Sequence, residues 1–381
     1  VFLTKRESDN EKLAVFAFNS KLNRFDKKDL LHLTNNTRKP SNVNIKIDQG
    51  MFNVAWLPDN NQTPEIKLHS AKIDSTLNIL KESKIKTGLT FDGNIKNFTL
   101  RNNHLGAIIK NEASKNKAKH PAQLIYHNFN NQDSEVIELG KDSLYTRSGK
   151  LDYDRVNQQM IYTAFYHKPE EPQAQGVAYF KKPLAKKGFQ SHFMPFPSEV
   201  IKQVYGARAQ RKGLQSFDLQ EQIVRSDGGV ILMAEEFEKE ESTSNAISFY
   251  GVSRGSMRTY FYYRDLVIFS IGPNGNFNWY KVHRKNQNTV NDRGYFSSFA
   301  SIVLKSKVIL LYNEVARNDW RTMYYSLLPD GTMKGDVLLE TLKANSKLIP
   351  KKTAHLSRNE ILIPAYHPKG KFYLLKVKFE E

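Results

Sequence analysis

Three features of the sequence predict an all-β protein. Between Asp227 and Glu314, apolar and aromatic runs such as VILMAEEF (Val230–Phe237) and YFYYRDLVIFSI (Tyr260–Ile271) are separated by turn residues such as Pro273–Gly275. Helical periodicity is almost absent from this stretch. The same grouping recurs along the chain, with units of four strand-like segments plus loops. Self-similar four-stranded units of roughly 40–50 residues are typical of a β-propeller.

The strand-like segments fall into successive groups, each an expected blade. Within a group, a short strand leads through a tight turn to a strongly apolar strand, and further strands follow a longer loop. The groups begin near Asn42, Asn97, Lys150, Gln222, Ser297 and Thr353. Residues 1–33 and 353–381 have the pattern of partial blades near the point of ring closure. We therefore predict seven four-stranded blades, or six if the partial blades merge, in a single domain spanning 1–381. A pair of β-sandwiches would not produce this recurrence.

Two stretches leave the blade pattern and are expected to be insertions. One is a helix near 198–212, where Ser198 is a candidate N-cap and Gly213 a candidate stop. Its apolar positions recur with helical spacing at Val200, Ile201, Val204 and Tyr205. The other is a polar loop at 239–258, in the next blade.

Composition and charge limit the kinds of partner and chemistry that the chain can have. The 381 residues include 57 Lys and Arg against 39 Asp and Glu, a net charge of +18, which suits an acidic partner or a solvated basic surface. Cysteine is absent, which excludes disulfides and thiolate chemistry. No apolar window is long enough for a transmembrane helix. The chain starts Val-Phe-Leu, so we expect a segment upstream of Val1 that contains a signal peptide or lipid anchor.

Candidate catalytic groups are few. Glu236 and Glu238 share one face of a strand and are close enough to act together, but an acidic strand end in solvent explains them as well. Ser297 and Ser298 offer hydroxyls beside aromatic residues, with no base near them in the sequence. The histidines show no metal-ligand spacing. We therefore expect no catalytic site, no metal and no cofactor.

Several segments resemble a family of Bacteroidota propeller proteins of the cell envelope. The matching segments lie between residues 176 and 315 and include GVAYF (Gly176–Phe180), PSEVIKQVYGARAQRKG (Pro197–Gly213), FDLQEQIVRSDGGVILMAEEF (Phe217–Phe237) and NDRGYFSSFASIV (Asn291–Val303). The resemblance implies a propeller fold and an exported protein, in the periplasm or at the outer-membrane surface. It implies no chemistry.

These observations favour a non-enzymatic propeller that serves as a scaffold or subunit in an envelope complex, with an outer-membrane protein as partner. The expected partner surface lies on the two insertions, at Lys202, Arg208, Arg211, Lys212, Arg254 and Arg258. A glycan-binding or glycan-cleaving propeller is the alternative, because an envelope location and 18 tyrosines allow it. A nucleic-acid-binding propeller is the second alternative, and it rests on the charge alone.

Overall fold

A computed structural model describes most of the chain as two compact units. The described residues are 2–7, 10–18, 24–35, 42–48, 50–57, 67–88, 93–111, 122–208, 211–244, 247–248, 251–252, 256–316, 319–340, 346–367 and 369–380. The first unit comprises residues 1–172 and 177–193, and the second comprises 173–176 and 194–381. The single domain spanning 1–381 stays a prediction.

The first unit contains four antiparallel sheets in chain order. Three strands form the opening sheet, β1 (Phe2–Glu7), β2 (Asn10–Phe18) and β3 (Arg24–Asn35). The next sheet consists of β4 (Asn42–Asp48), β5 (Met51–Leu57), β6 (Lys67–Ile73) and β7 (Ile79–Lys86). A third follows with β8 (Gly93–Arg101), β9 (His104–Asn111), β10 (Gln123–Asn128) and β11 (Ser134–Glu138). The fourth has β12 (Gly140–Lys141), β13 (Leu144–Asp154), β14 (Gln159–His167), β15 (Gly176–Pro183) and β16 (Gln190–Pro195).

The second unit contains the helix and three further large sheets. After α1 (Ser198–Tyr205), one sheet is built from β17 (Phe217–Val224), β18 (Val230–Ser244), β21 (Ser256–Ile271), β22 (Phe277–His283) and β23 (Gln287–Val290). Between β18 and β21 lie two short paired strands, β19 (Ile247–Ser248) and β20 (Gly251–Val252). The next sheet is β24 (Ala300–Val303), β25 (Val308–Ala316), β26 (Asp319–Leu327) and β27 (Met333–Glu340). The last has β28 (Lys347–Leu348), β29 (Ala354–His355), β30 (Glu360–His367) and β31 (Lys371–Lys378), with a 3₁₀ turn at Pro350–Lys352.

Burial explains which strands lie inside each sheet. The inner strand β14 is buried along its whole length, and β5 is buried from Asn53 onward, as their nearly continuous apolar sequences predict. Outer strands such as β11 alternate between exposed and half-buried positions. Apolar side chains from neighbouring sheets form shared cores, as Ile231, Leu266 and Leu310 do in the second unit.

The fold is all-β and of the β-propeller class, as predicted. In each four-stranded sheet the strands pair mainly with their neighbours in sequence, which is the meander of a propeller blade. Within the described residues, seven sheets have three or more strands, and they follow the predicted groups in order.

The inserted helix is confirmed, but it is shorter than predicted. It begins at Ser198, with Pro197 in the N-cap position, and ends at Tyr205 rather than near 212. Gly206 stops it, because its φ of 93° leaves the helical region and its amide donates to the Lys202 carbonyl (2.8 Å). Ser198 is therefore the first helical residue and not the cap; its hydroxyl donates to Glu199.

The predicted loop at 239–258 is largely a β-hairpin. β18 and β21 stay paired out to Ser244 and Ser256, well beyond the point where β17 ends its pairing at Glu236. β23 pairs with residues 260–263 on the far side of β21, so the extension has three strands. We call residues 237–244, 256–263 and 287–290 the arm. The sequence of the arm is polar because one face of its strands is exposed to solvent, and for this reason the outer part of these strands was not predicted.

Candidate functional site

The helix and the arm meet in the second unit through Arg284. This residue directly follows β22, and its guanidinium donates to the carbonyl oxygens of Gln203 and Val204, the latter at 3.2 Å. The last carbonyls of a helix have no partner within the helix, and a cation is favourable there. Arg284 also pairs with Asp265 on β21. One side chain thus joins the end of α1 to the strand that forms the middle of the arm.

A polar cavity of about 320 Å³ lies where these elements meet. Its charged lining combines two carboxylates with three cations, at Glu236, Asp265, Arg264, Arg284 and Lys285. Burial raises the pKa of Glu236, and the nearby charge of Arg264 opposes the shift. Such a lining offers both hydrogen-bond donors and acceptors. It can therefore bind a peptide group, or a charged side chain of either sign, of a partner protein.

The solvent face of the arm continues from this cavity and carries two stacked tyrosines. The ring centroids of Tyr260 and Tyr262 are 6.3 Å apart, with 11° between the ring planes. Tyr262 donates to Glu240 (3.2 Å), and the Arg264 guanidinium lies 5.0 Å from the Tyr262 ring centroid. Tyrosine and arginine are the residues that most often dominate protein–protein binding energy. We call this surface the arm face and define it as Glu238, Glu240, Tyr260, Tyr262, Arg264 and Val290.

Glu236 and Glu238 lie on one side of β18, as their spacing predicts. Both contact the same cation: Arg264 is 3.1 Å from Glu238 and 3.7 Å from Glu236. Arg264 is an ion-pair partner of both carboxylates, and these contacts hold the arginine side chain between the cavity and the arm face. Both carboxylates thus contribute to positioning Arg264.

The four cations predicted on the inserted helix do not all lie on it. Lys202 is exposed on α1, whereas Arg208, Arg211 and Lys212 follow the helix. Gly206 ends the helix before it reaches these three residues, so Lys202 is the one of the four that lies on it.

Of these four, Arg211 is the one whose contacts lead to the cavity. Its guanidinium lies 4.4 Å from the ring centroid of Tyr205, a cavity residue, and donates to Gln215 (2.8 Å). Its charge also lowers the pKa of Glu236, against the larger effect of burial. Burial raises the pKa of Tyr205, whose hydroxyl accepts a hydrogen bond from the Gln215 amide (2.7 Å).

The remaining two predicted cations belong to the arm region. Arg258 is exposed on β21, opposite Ser242 in the strand register. Arg254 lies outside the described residues. The assignment of all six to a partner surface stays a prediction.

Beneath the cavity lies a buried ion pair that sequence reasoning missed. Lys285 and Glu235 have side chains 1% and 0% exposed, and their charged atoms are 2.7 Å apart. Lys285 also donates to Gln287 (2.7 Å), and Gln287 donates to the Asn313 carbonyl (2.7 Å) in the next sheet. Burial lowers the pKa of Lys285, and the charge of Glu235 opposes that shift. Through Gln287 this network reaches the next sheet, and Lys285 itself lines the cavity.

The hydroxyl of Ser298 completes this network. It donates to Glu235, and the Ser298 amide donates to Gln287 (2.9 Å). No base lies near this serine in the sequence, but the fold brings a carboxylate 63 positions away into contact with it. Ser298 is 2% exposed, so the contact lies in the interior of the unit.

The described residues include neither a membrane-spanning helix nor a metal-binding cluster. Among the described helices, none combines the length and the apolar character that crossing a bilayer requires. Within the same residues, no group of three or more His, Asp or Glu side chains is arranged to hold a metal ion.

Comparisons with known proteins add the following. No protein-family model and no curated protein matches the chain. Similar solved structures include the polysaccharide lyase Uly1, with 9% identity and a TM-score of 0.42 over 100% of this chain and 88% of the other. The β-propeller domain of the Trilobed protease from Pyrococcus furiosus has 8% identity and a TM-score of 0.33 over 90% and 96%. A DUF4221 family member from Bacteroides vulgatus has 9% identity and a TM-score of 0.36 over 88% and 92%. At such values the likenesses carry no argument about activity.

Proposed function

We propose that this protein is a non-enzymatic β-propeller that acts as a protein-interaction subunit of a bacterial cell-envelope complex. The arm face carries the proposal. It is a three-stranded surface outside the blade pattern, with stacked tyrosines held by a glutamate and an arginine. Side chains fixed in this way lose little conformational entropy when a partner binds. The envelope location rests on the resemblance of residues 176–315 to exported Bacteroidota propellers.

The cavity beside the arm face supports the same function. A partner segment lying across Tyr260 and Tyr262 meets Arg264, and beyond it the charged groups around Glu236. Tyrosine side chains supply the apolar contact, and the cavity supplies hydrogen-bond donors and acceptors for a polar group of the partner. This combination of an aromatic centre and a polar border is typical of protein interfaces.

A comparison of variants in a native pull-down tests the proposal. The tagged chain is recovered from envelopes of its source, and the retained proteins are identified by mass spectrometry. Replacing Tyr260 and Tyr262 by alanine should remove a defined set of outer-membrane proteins. The matched control is Tyr373→Ala, an exposed tyrosine on β31, and it should retain them. Equal retention by both variants contradicts the proposal, as does a solitary chain that cleaves a glycan.

A further inference from the structure

A second cavity opens among hairpin turns of the second unit, away from the residues of the arm face. Its lining comes from the turns at Arg225–Asp227, Leu304–Lys307 and Leu328–Pro329, together with Arg358 and part of β22. Its volume is about 550 Å³, within the range of small-molecule sites. We call it the turn cleft. Loops that converge on a rigid β scaffold are common places for ligand binding.

One indole ring is held rigidly in the lining of the turn cleft. Trp279 donates its Nε1–H to the Pro329 carbonyl (2.8 Å). The same turn packs closely on the ring: a Cβ added to Gly331 would lie 2.9 Å from the Cδ2 atom of Trp279. A larger residue at position 331 would clash with the indole ring. The φ of 86° at Gly331 also disfavours any residue with a side chain. The ring is thus fixed in place and still borders the cleft.

The charge balance of the turn cleft is positive. Among the described residues that line it, Asp227 is the one carboxylate; it pairs with Arg225 (3.1 Å) and accepts the Gly229 amide (2.9 Å). These two charges offset each other. The other charged residues of the lining are Lys305, Lys307 and Arg358, all cationic.

The rest of the turn cleft is lined by both polar and apolar groups. Ser226, Asn278 and Ser306 provide short hydrogen-bonding side chains, and Ile223 and Ile231 are buried apolar residues of the lining. A sugar ring matches such a lining, because it has an apolar C–H face and a rim of hydroxyl groups. The positively polarised C–H groups favour the negative face of an indole.

We propose that the turn cleft binds an anionic saccharide, with a pyranose ring on Trp279 and its acidic group near Lys305, Lys307 and Arg358. A long polymer can pass over the cleft because the turns leave it open on the surface. This site is separate from the arm face, so the loss of one activity in a variant does not imply the loss of the other.

Calorimetric titration with defined probes tests this proposal. Trigalacturonate is the anionic probe and maltotriose its neutral counterpart. Trigalacturonate should bind at least about tenfold more tightly, and its affinity should fall as salt is added. Failure to bind trigalacturonate, or equal binding of maltotriose, overturns the proposal.

Two variants locate the site. Lys305→Ala combined with Lys307→Ala should weaken trigalacturonate binding by about tenfold or more, and Trp279→Leu should abolish it. The control replaces Lys369 and Lys371 and should leave binding unchanged. These two exposed lysines lie at the end of the β30–β31 pair that is farther from Arg358. If Trp279→Leu fails to fold, the lysine variant decides the matter alone. Equal weakening by the lysine control contradicts the assignment, and so does tighter binding of ADP or hexaglutamate through the same lysines.

Discussion

Glu235→Gln should destabilise the second unit strongly, although the change replaces only one oxygen by a nitrogen. It leaves the Lys285 ammonium, which is 1% exposed, without its counter-charge at 2.7 Å. Removing one partner of a buried ion pair costs about 3–5 kcal/mol. Gln287 and the ring of Tyr263 remain near the ammonium but carry no charge, and Asp265 opposes the effect of burial less than Glu235 does.

Urea denaturation, monitored by tryptophan fluorescence, measures this loss of unfolding free energy. With a slope near 3 kcal/mol per molar urea, the loss corresponds to a midpoint shift of about 1 M or more. The matched control is Glu238→Gln on the same strand. Its ion pair with Arg264 is largely exposed, so the control should lose less than about 1 kcal/mol.

The pH dependence gives the ion pair a signature that lost packing would not show. Burial lowers the pKa of Lys285 below 10.5, and in Glu235→Gln the neutral amide would no longer oppose that shift. The folded variant then binds fewer protons than the unfolded chain at alkaline pH, so its stability rises with pH up to about 10.5. The deficit relative to the native chain should shrink over that range. A deficit that is independent of pH, or no larger than that of Glu238→Gln, refutes the role given to the pair.

Further predictions concern the helix, the inner network and a half-buried histidine. Gly206→Ala should cost about 1–3 kcal/mol in thermal unfolding because its φ of 93° and ψ of 156° are essentially restricted to glycine, whereas Ser198→Ala should cost less, since Ser198 is not the cap. Asn313→Leu should cost about 3 kcal/mol or more in urea denaturation, because it strands the Phe296 and Leu348 carbonyls that the Asn313 amide bonds at 2.8 and 2.7 Å. Burial lowers the pKa of His283 to about 4, so this residue should reduce stability as pH falls from about 6.5 to about 4, where the unfolded chain binds the proton and the folded chain does not. His283→Asn should flatten that part of the pH profile, and an unchanged profile would contradict the assignment.

The fold was predictable because the sequence patterns that indicate strands and turns are local. Apolar runs such as Val230–Phe237 and turns such as Pro273–Gly275 carry their signal within a few residues, and the sheets follow the predicted groups. The outer part of the arm was missed because residues 239–244 (KEESTS) are polar, and such a sequence also suits a solvated loop. The helix was extended too far because Gly206 is a stronger stop than the basic residues after it are a continuation.

The site was less predictable because its contacts join residues far apart in the chain. Ser298 and Glu235 are 63 positions apart, and Arg284 reaches the helix end some 80 positions away. Lys285 looks like a surface residue in the sequence, because its neighbours are Arg284 and Asn286. One local signal was available: Arg264-Asp265 interrupts an otherwise aromatic and apolar strand, and both residues line the cavity.

The affinity between the purified chain and a partner captured from the envelope tests the central claim most directly. We predict that replacing Tyr260 and Tyr262 by alanine raises the Kd about thirtyfold or more, the effect of removing an interface hot spot, while Tyr373→Ala leaves it unchanged. An unchanged Kd in the arm variant, with its fold confirmed by circular dichroism, would contradict the claim that the arm face is the contact surface.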